Sequence, residues 1–285
     1  MSTRRICLRD CRVNEMTVAA ALQAAGRQIS PLDAEVLLAH VLGVSRIQLF
    51  SHPEKKLNSG EIQQFTQSVT WCAEGQPVAY LTGFREFWSL RLEVTPDVLI
   101  PRPETECLVE QVLSKISVKN AVIADCGTGS GAIALALGSE RPGWQIHATD
   151  CSQKALKRAS ANAEKLGISN IIFHEGSWCA ALPACQFDAI VSNPPYLAEE
   201  DPHLEALRYE PALALVSGSD GLRAITEMVG SAGSFLVPGG WLLLEHGFEQ
   251  GDAVRTLFEA AGYQQVTTVK DLSGLERVTS GISGV

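Results

Sequence analysis

The sequence predicts an α/β protein: a doubly wound, mainly parallel sheet, preceded by a small N-terminal helical domain and a linking β-hairpin. Three observations predict it. From about residue 103 onward, short apolar strand patterns alternate with helical ones, as in βα units laid on a parallel sheet. Residues 17–75 carry helical periodicity alone, and residues 84–100 alternate weakly, as a hairpin does. With 285 residues, 46% hydrophobic and 19% charged, the chain is long enough for one large and one small domain.

Taken in order, residues 1–15 hold four arginines and no apolar period. They are expected to be a disordered extension ahead of an alternative start at Met16, outside the fold. Thr17 caps a short Ala/Leu helix. Ser30-Pro31-Leu32-Asp33 supplies an N-cap, a proline at the first helical position and an acid at the box position, and Gly43 closes that helix. A third helix puts Ile62, Phe65 and Val69 on one face and stops at Gly75, ahead of Pro77. The hairpin runs from Phe84 to Ile100. Strands follow at 121–125, 145–149, 171–174, 187–191, 240–245, 263–269 and near 276–280. Helices between them carry Leu108/Val112/Ile116, Ala155/Ala159/Ala163, Ile225/Val229/Ala232 and Val254/Leu257/Phe258. The expected domain limits are 16–83, 84–101 and 102–285.

Charge and composition narrow the function. A net charge of −9 disfavours wrapping duplex nucleic acid, whose binding depends on neutralising phosphates. Cysteines stand at 6, 11, 72, 107, 126, 151, 179 and 185 with no CxxC, and are expected to be small buried hydrophobes in a reducing compartment. The six histidines form no HxxxH pair, and no metal site is expected. Apolar runs fall far short of a bilayer span and no signal-peptide core is visible, so a cytoplasmic location without membrane contact is expected.

Two segments carry chemistry. Val122 to Gly131 is a strand running into the loop Asp125-Cys126-Gly127-Thr128-Gly129-Ser130-Gly131, which opens a helix. Gly127-x-Gly129-x-x-Ala132 fits the dinucleotide fingerprint, and Asp150 ends the next strand, where a carboxylate accepts from ribose hydroxyls. A nucleotide-like cofactor follows; the glycines alone leave open which one. Asp125, before the first glycine, would repel pyrophosphate and tolerate a cationic sulfonium, which favours S-adenosylmethionine over NAD. Trp178, after the third strand of this sheet, is placed to pack against an adenine or to be ordinary core. The second segment, Asn193-Pro194-Pro195-Tyr196, follows a buried strand and so stands at the carboxyl edge of the sheet. The Asn193 side chain and the Pro194 carbonyl offer two acceptors for a planar NH2 group, with Tyr196 against its face. The alternative is a Pro-rich turn. Glu245-His246-Gly247 suggests a general base, but a histidine there is expected to be structural.

These two motifs together resemble class I S-adenosylmethionine-dependent methyltransferases acting on planar nitrogens. With Gln76 to Gly83, Phe87-Trp88, Leu99-Ile100-Pro101-Arg102-Pro103-Glu104-Thr105-Glu106, Leu244 to Gly247 and Gly274 to Arg277, the chain resembles the HemK/PrmC family of peptide chain release factor glutamine methyltransferases over residues 17–280. The resemblance implies a seven-stranded Rossmann-like sheet and an N-terminal helical domain that helps bind the substrate. It also implies methylation of the side-chain amide (N5) of the glutamine in the Gly-Gly-Gln motif of release factors 1 and 2, modulating translation termination, with S-adenosylhomocysteine as product. It assigns Gly127, Thr128, Gly129, Ser130, Gly131, Asp150, Trp178 and Asn193 to the cofactor. Asn193, Pro194, Pro195 and Tyr196 fall to the target glutamine, with Asn193, Pro194 and Tyr196 catalytic. Cys126 departs from the larger aliphatic residue usual in relatives, and Ser177 from a frequent aspartate. Alternatives are methylation of N6 of adenine or another exocyclic amine of nucleic acid, an NAD-dependent oxidoreductase, and a binding module with a vestigial pocket.

Overall fold

A computed structural model describes residues 16–284. The extension expected at residues 1–15 lies outside the described residues. The chain divides between Gly83 and Phe84 into two compact units.

The smaller unit is helical. Helix α1 (Val18–Ala25) starts at Thr17, whose hydroxyl accepts from the Ala20 amide. Helix α2 (Pro31–Leu42) is capped by Ser30, which accepts from the Asp33 amide and donates to the Asp33 carboxylate, and it closes at Gly43. Two short helices went unanticipated, α3 (Arg46–Ser51) and α5 (Val78–Thr82). With 6 and 5 residues, neither completes two turns, too little for an apolar period to register. Helix α4 (Ser59–Ala73) starts from a reciprocal capping box, Asn58 amide to Glu61 and Glu61 amide to Asn58. Leu37, Leu38, Leu49, Phe65 and Val69 form its core.

The larger unit opens on a hairpin, β1 (Phe84–Phe87) and β2 (Leu90–Glu93), shorter than the sequence suggested. Pairing ends where the Glu93 amide turns to the Asn162 side chain, and the following Thr95–Val98 turn precludes a ladder. Helix α6 (Glu106–Lys115) then leads into the sheet. Its strands are β3 (Val122–Cys126), β4 (Gln145–Asp150), β5 (Ile171–Glu175), β6 (Phe187–Ser192), β7 (Leu236–Glu245), β8 (Gln264–Lys270) and β9 (Glu276–Ile282). Spatial order is β5-β4-β3-β6-β7-β9-β8, parallel except for β9, which runs antiparallel between β7 and β8. Strand β7 begins at Leu236 rather than 240 because a bulge opposite Phe187 and Ala189 absorbs Pro238, Gly239 and Gly240 without ending the pairing. Helices α7 (Ala132–Glu140), α8 (Gln153–Leu166), α9 (Arg223–Ala232) and α10 (Gly251–Ala260) cover its faces. Helix α7 is buried on all sides from Ala132 to Gly138, so it shows no polar stripe.

The order reverses between β3 and β6. At such a switch point, connections leave in opposite directions and open a crevice beyond the strand ends. The glycine loop follows β3 and Asn193 follows β6, so the fold brings both motifs to that crevice. The cysteines depart from expectation in part: Cys126 and Cys179 are buried, but Cys151 and Cys185 are exposed, because they sit in a helix lead-in and a surface turn. Among the described residues no helix is long and apolar enough to cross a membrane, and no group of three His, Cys, Asp or Glu is arranged to hold a metal ion.

Candidate active site

Beyond β3 the chain turns sharply, and the Gly127 and Thr128 amides both donate to the Thr149 carbonyl of β4. Gly127 has no room for a side chain: a Cβ there would lie 2.8 Å from the Trp178 ring. At Gly129 (φ +58°) a Cβ would meet nothing within 4 Å, so the loop presents bare backbone to an open cleft. Asp150 at the end of β4 lines the same cleft, and its two oxygens accept from the Gly129 amide at 2.9 Å and the Ser152 amide at 2.8 Å. Burial pushes its pKa up, and these two amides oppose the shift. The carboxylate is thus braced in place by the loop it faces.

Thr128, Ser130 and Gly131 lie behind that wall and do not line the cleft. The Thr128 hydroxyl donates to Asp125 at 2.6 Å, the Ser130 carbonyl accepts from Asn162 at 2.9 Å, and a Cβ on Gly131 would press Leu135 and Ala159 at 2.9 and 3.1 Å. Asp125 is also out of the cleft. It is fully buried, accepts from the Ala134 amide of α7 at 3.1 Å, and burial pushes its pKa to about 7. Its place is therefore that of a brace between loop and helix, not of a surface charge that sorts cofactors. Trp178 is held in the left-handed region at φ +43°, with its carbonyl taking the Thr149 hydroxyl at 3.2 Å. Such backbone costs about 1–3 kcal/mol and persists only where surroundings impose it. Here it seats the indole on Gly127 and leaves it as cleft wall.

The cleft holds ≈ 260 Å³. A second cavity of ≈ 580 Å³ adjoins it, walled by Tyr196, Arg102, Phe248, Gln250 and Arg277. Asn193 lines both. Pro195 faces the first, Tyr196 the second, and Pro194 is buried between them. At the switch point the Ser192 hydroxyl donates to the Cys126 carbonyl at 2.5 Å, tying the two strand ends together. The Asn193 side chain is oriented too: its Nδ2 donates to the Thr105 hydroxyl at 3.1 Å, which leaves Oδ1 as acceptor. Tyr196 is fixed by Gln250, whose Nε2 donates to the Tyr196 carbonyl at 3.0 Å, and by Gly221, packed against the same carbonyl. Burial, then the neighbouring Glu245, push the Tyr196 phenol to about 12, so it stays neutral.

Several participants had no role in the sequence reading. Thr105 stands in the Leu99–Glu106 segment, to which the sequence assigns no individual role. Asp97, Val98 and Leu99 line the cleft from the stretch after the hairpin. Glu210 accepts from Arg102 at 2.5 Å and from the Ile100 amide at 3.1 Å, pinning that stretch beside the second cavity. The signal was the run Pro101 to Glu106, too polar for a core element and too ordered for a loop. His246 is structural, as expected: it is buried, bonded to the Gly247 carbonyl and the Thr279 hydroxyl, and burial lowers its pKa.

The cleft fits S-adenosylmethionine. Bare backbone at Gly129, a braced carboxylate at Asp150 and an indole face at Trp178 match a ligand with a charged tail, ribose hydroxyls and a flat base.

Residues 17–83 match the PrmC N-terminal domain and residues 103–209 the methyltransferase small domain. A release factor glutamine methyltransferase of Coxiella burnetii is 52% identical over 248 residues, covering 87% of this chain and 90% of that protein. One of Salmonella typhimurium is 48% identical over 251 residues, 87% of this chain and 91% of that protein. In fold, the chain is similar to a methyltransferase of Pyrococcus furiosus with a TM-score of 0.53 at 18% identity, covering 69% of this chain and 90% of that one. The chain belongs to the release factor glutamine methyltransferase family.

Proposed function

We propose that this protein transfers a methyl group from S-adenosylmethionine to the side-chain amide nitrogen of the glutamine in the Gly-Gly-Gln segment of peptide chain release factors 1 and 2. The observation that carries this reading is Asn193, which lines both cavities and keeps its carbonyl oxygen available through the bond to Thr105. The N-terminal helical unit contributes to recognition of the factor, and the enzyme acts in the cytoplasm.

Bound in the first cleft, S-adenosylmethionine supplies an electrophilic methyl group and leaves as S-adenosylhomocysteine. The residues of this chain do the rest. Gly127 and Gly129 hold the methionine part, Asp150 accepts from the ribose and Trp178 lies along the base. Asn193 Oδ1 and the backbone carbonyl of the adjoining Pro194 are the two acceptors for the N–H hydrogens of the target amide, and Tyr196 packs on its face. An amide nitrogen is a poor nucleophile because its lone pair is shared with the carbonyl. Two acceptors on its hydrogens raise electron density at nitrogen and aim the lone pair at the methyl carbon. Positioning of this kind is worth up to about 7–11 kcal/mol. After attack the nitrogen carries the positive charge that the sulfonium loses and releases one of its two protons to solvent, so no strong base is needed beforehand.

Nucleic-acid amines are not favoured. Asp201, Asp220 and Glu249 line the second cavity, and its two arginines, Arg102 and Arg277, are already paired with Glu210 and Asp271, which leaves little positive charge there for a phosphate backbone. Membership of this family also disfavours an NAD-dependent oxidoreductase. The test is transfer of labelled methyl from S-adenosylmethionine to a purified bacterial release factor, beside the same factor with its Gly-Gly-Gln glutamine changed to alanine. Label on the first alone is the expected result; label on neither, with the cofactor bound, overturns the substrate.

A further inference from the structure

A buried carboxyl near Asn193 has no part in the chemistry above. Glu245 ends β7, is 1% exposed, and its Oε2 has no hydrogen-bond partner. The Thr105 hydroxyl is the neighbour that most opposes the rise in the Glu245 pKa, and the same hydroxyl accepts from Asn193 Nδ2 at 3.1 Å. Thr105 is itself 3% exposed, so water does not compete for its hydroxyl.

The direction of the chain matters. A hydroxyl has one proton to give. An ionised Glu245 accepts only, so it draws that proton, and Thr105 then presents lone pairs to Asn193. The Asn193 amide must answer with its NH2, which leaves Oδ1 toward the target. Were the Thr105 proton turned to Asn193, the amide would flip and set its NH2 against the NH2 of the target glutamine. Two donors would face one another, and the target would be repelled.

We propose that Glu245, acting through Thr105, is a positioning residue for methyl transfer, its carboxylate setting the direction of the hydrogen bonds that keep Asn193 an acceptor. The inference rests on the function proposed above and adds a requirement for an ionised group remote from both substrates. Burial raises the Glu245 pKa to about 7. The groups that face it are Arg102 and Glu104 of the segment before α6, Cys107 of α6, Tyr196 after β6, and Arg277 of β9. Cys107 and Tyr196 are pushed to about 11 and about 12 and stay neutral near pH 7. Activity should therefore rise with pH through about 7, as Glu245 ionises.

The experiment compares wild type, Glu245→Gln, Thr105→Val and Thr105→Ser, reading methyl transfer to purified release factor between about pH 5.5 and 9, with S-adenosylmethionine affinity measured by calorimetry. Gln is neutral like the protonated carboxyl and, unlike the carboxylate, has a donor to offer Thr105. E245Q and T105V are expected to lose about 10- to 100-fold in kcat, the effect of one misdirected hydrogen bond. Cofactor affinity should stay within about twofold, T105S should recover to within about threefold of wild type, and E245Q should lose the rise near pH 7. Cofactor affinity also reports folding; should E245Q fail it, the two Thr105 variants and the wild-type pH profile decide. Wild-type kcat and pH dependence in E245Q, or a loss in T105S equal to that in T105V, overturns the relay. Failure of wild type to label the factor overturns the proposed function instead, and the relay with it.

Discussion

Gly221 offers a sharp test of how the tetrapeptide is held. It has φ +75°, and a Cβ placed on it would stand 2.3 Å from the Tyr196 carbonyl oxygen and 2.9 Å from Gln250 Nε2. The oxygen is backbone, so it yields only if the peptide after Tyr196 moves by about 1 Å to restore ordinary contact. Gly221→Ala carries two costs. Left-handed backbone at a non-glycine residue costs about 1–2 kcal/mol, and overpacking a filled site about 1–3 kcal/mol. The sum, about 2–5 kcal/mol, corresponds to a fall in melting temperature on the order of 10 °C. The displacement acts on the loop proposed above to aim the target amide, and a misplacement near 1 Å costs about a hundredfold in rate. Gly239→Ala is the control: φ is +80°, nothing lies within 4 Å of the new Cβ, and the residue is exposed on the β7 bulge. It should carry the backbone cost alone and leave kcat unchanged. Both variants are read by thermal melting and by single-turnover transfer at saturating cofactor. If Gly221→Ala melts like Gly239→Ala and transfers at the wild-type rate, the argument that Gly221 holds Tyr196 in register is wrong.

Other outcomes follow from the same geometry. Asn193→Ala should abolish transfer while calorimetry still finds cofactor binding largely intact; full activity in that variant would sink the clamp mechanism. Gly129→Ala puts a methyl group into open cleft. It should weaken cofactor binding by at least about tenfold at a stability cost of only about 1–2 kcal/mol, and unchanged affinity would remove Gly129 from the binding surface. His147 and His174 share a proton between ring nitrogens 2.8 Å apart, and burial lowers both pKa values. A lowered pKa means the unfolded chain takes up protons first, so the pair stabilises fully above about pH 6.5 and loses that contribution as pH falls. Asp125 and Glu245, raised to about 7, act with the opposite sign and lose stability as pH rises. The histidine contribution is therefore read by difference: the gap in melting temperature between wild type and His174→Asn should shrink from about pH 7 to about pH 5, and a constant gap would refute it.

The central strands were legible because each is a largely buried run closed by a turn signal. The run Ala189, Ile190, Val191 and the run Leu242, Leu243, Leu244 are fully buried, so their apolarity is unbroken. What escaped notice lacked a periodic signature. Helices α3 and α5 are too short to show one, and the early start of β7 hides behind Pro238 and two glycines that look like a break. The site was legible as two motifs but not as a geometry. Gly127, Gly129, Asp150, Trp178, Asn193, Pro195 and Tyr196 meet the two cavities, whereas Thr128, Ser130 and Gly131 support them from behind. Spacing within a glycine loop does not say which residues point outward. The Asn193–Thr105 bond joins residues 88 positions apart, and no local pattern encodes a pairing of that range.

Asn193 belongs to both cavities at once, and this has a thermodynamic consequence. Two ligands that share one side chain are not bound independently. Whatever free energy the cofactor gains by finding that amide already oriented is matched by an equal gain for the target when the cofactor arrives first, because linkage between two binding equilibria is reciprocal. The factor by which an occupied cleft changes affinity for the target is therefore the factor by which a bound target changes affinity for the cofactor, and measuring either one gives both.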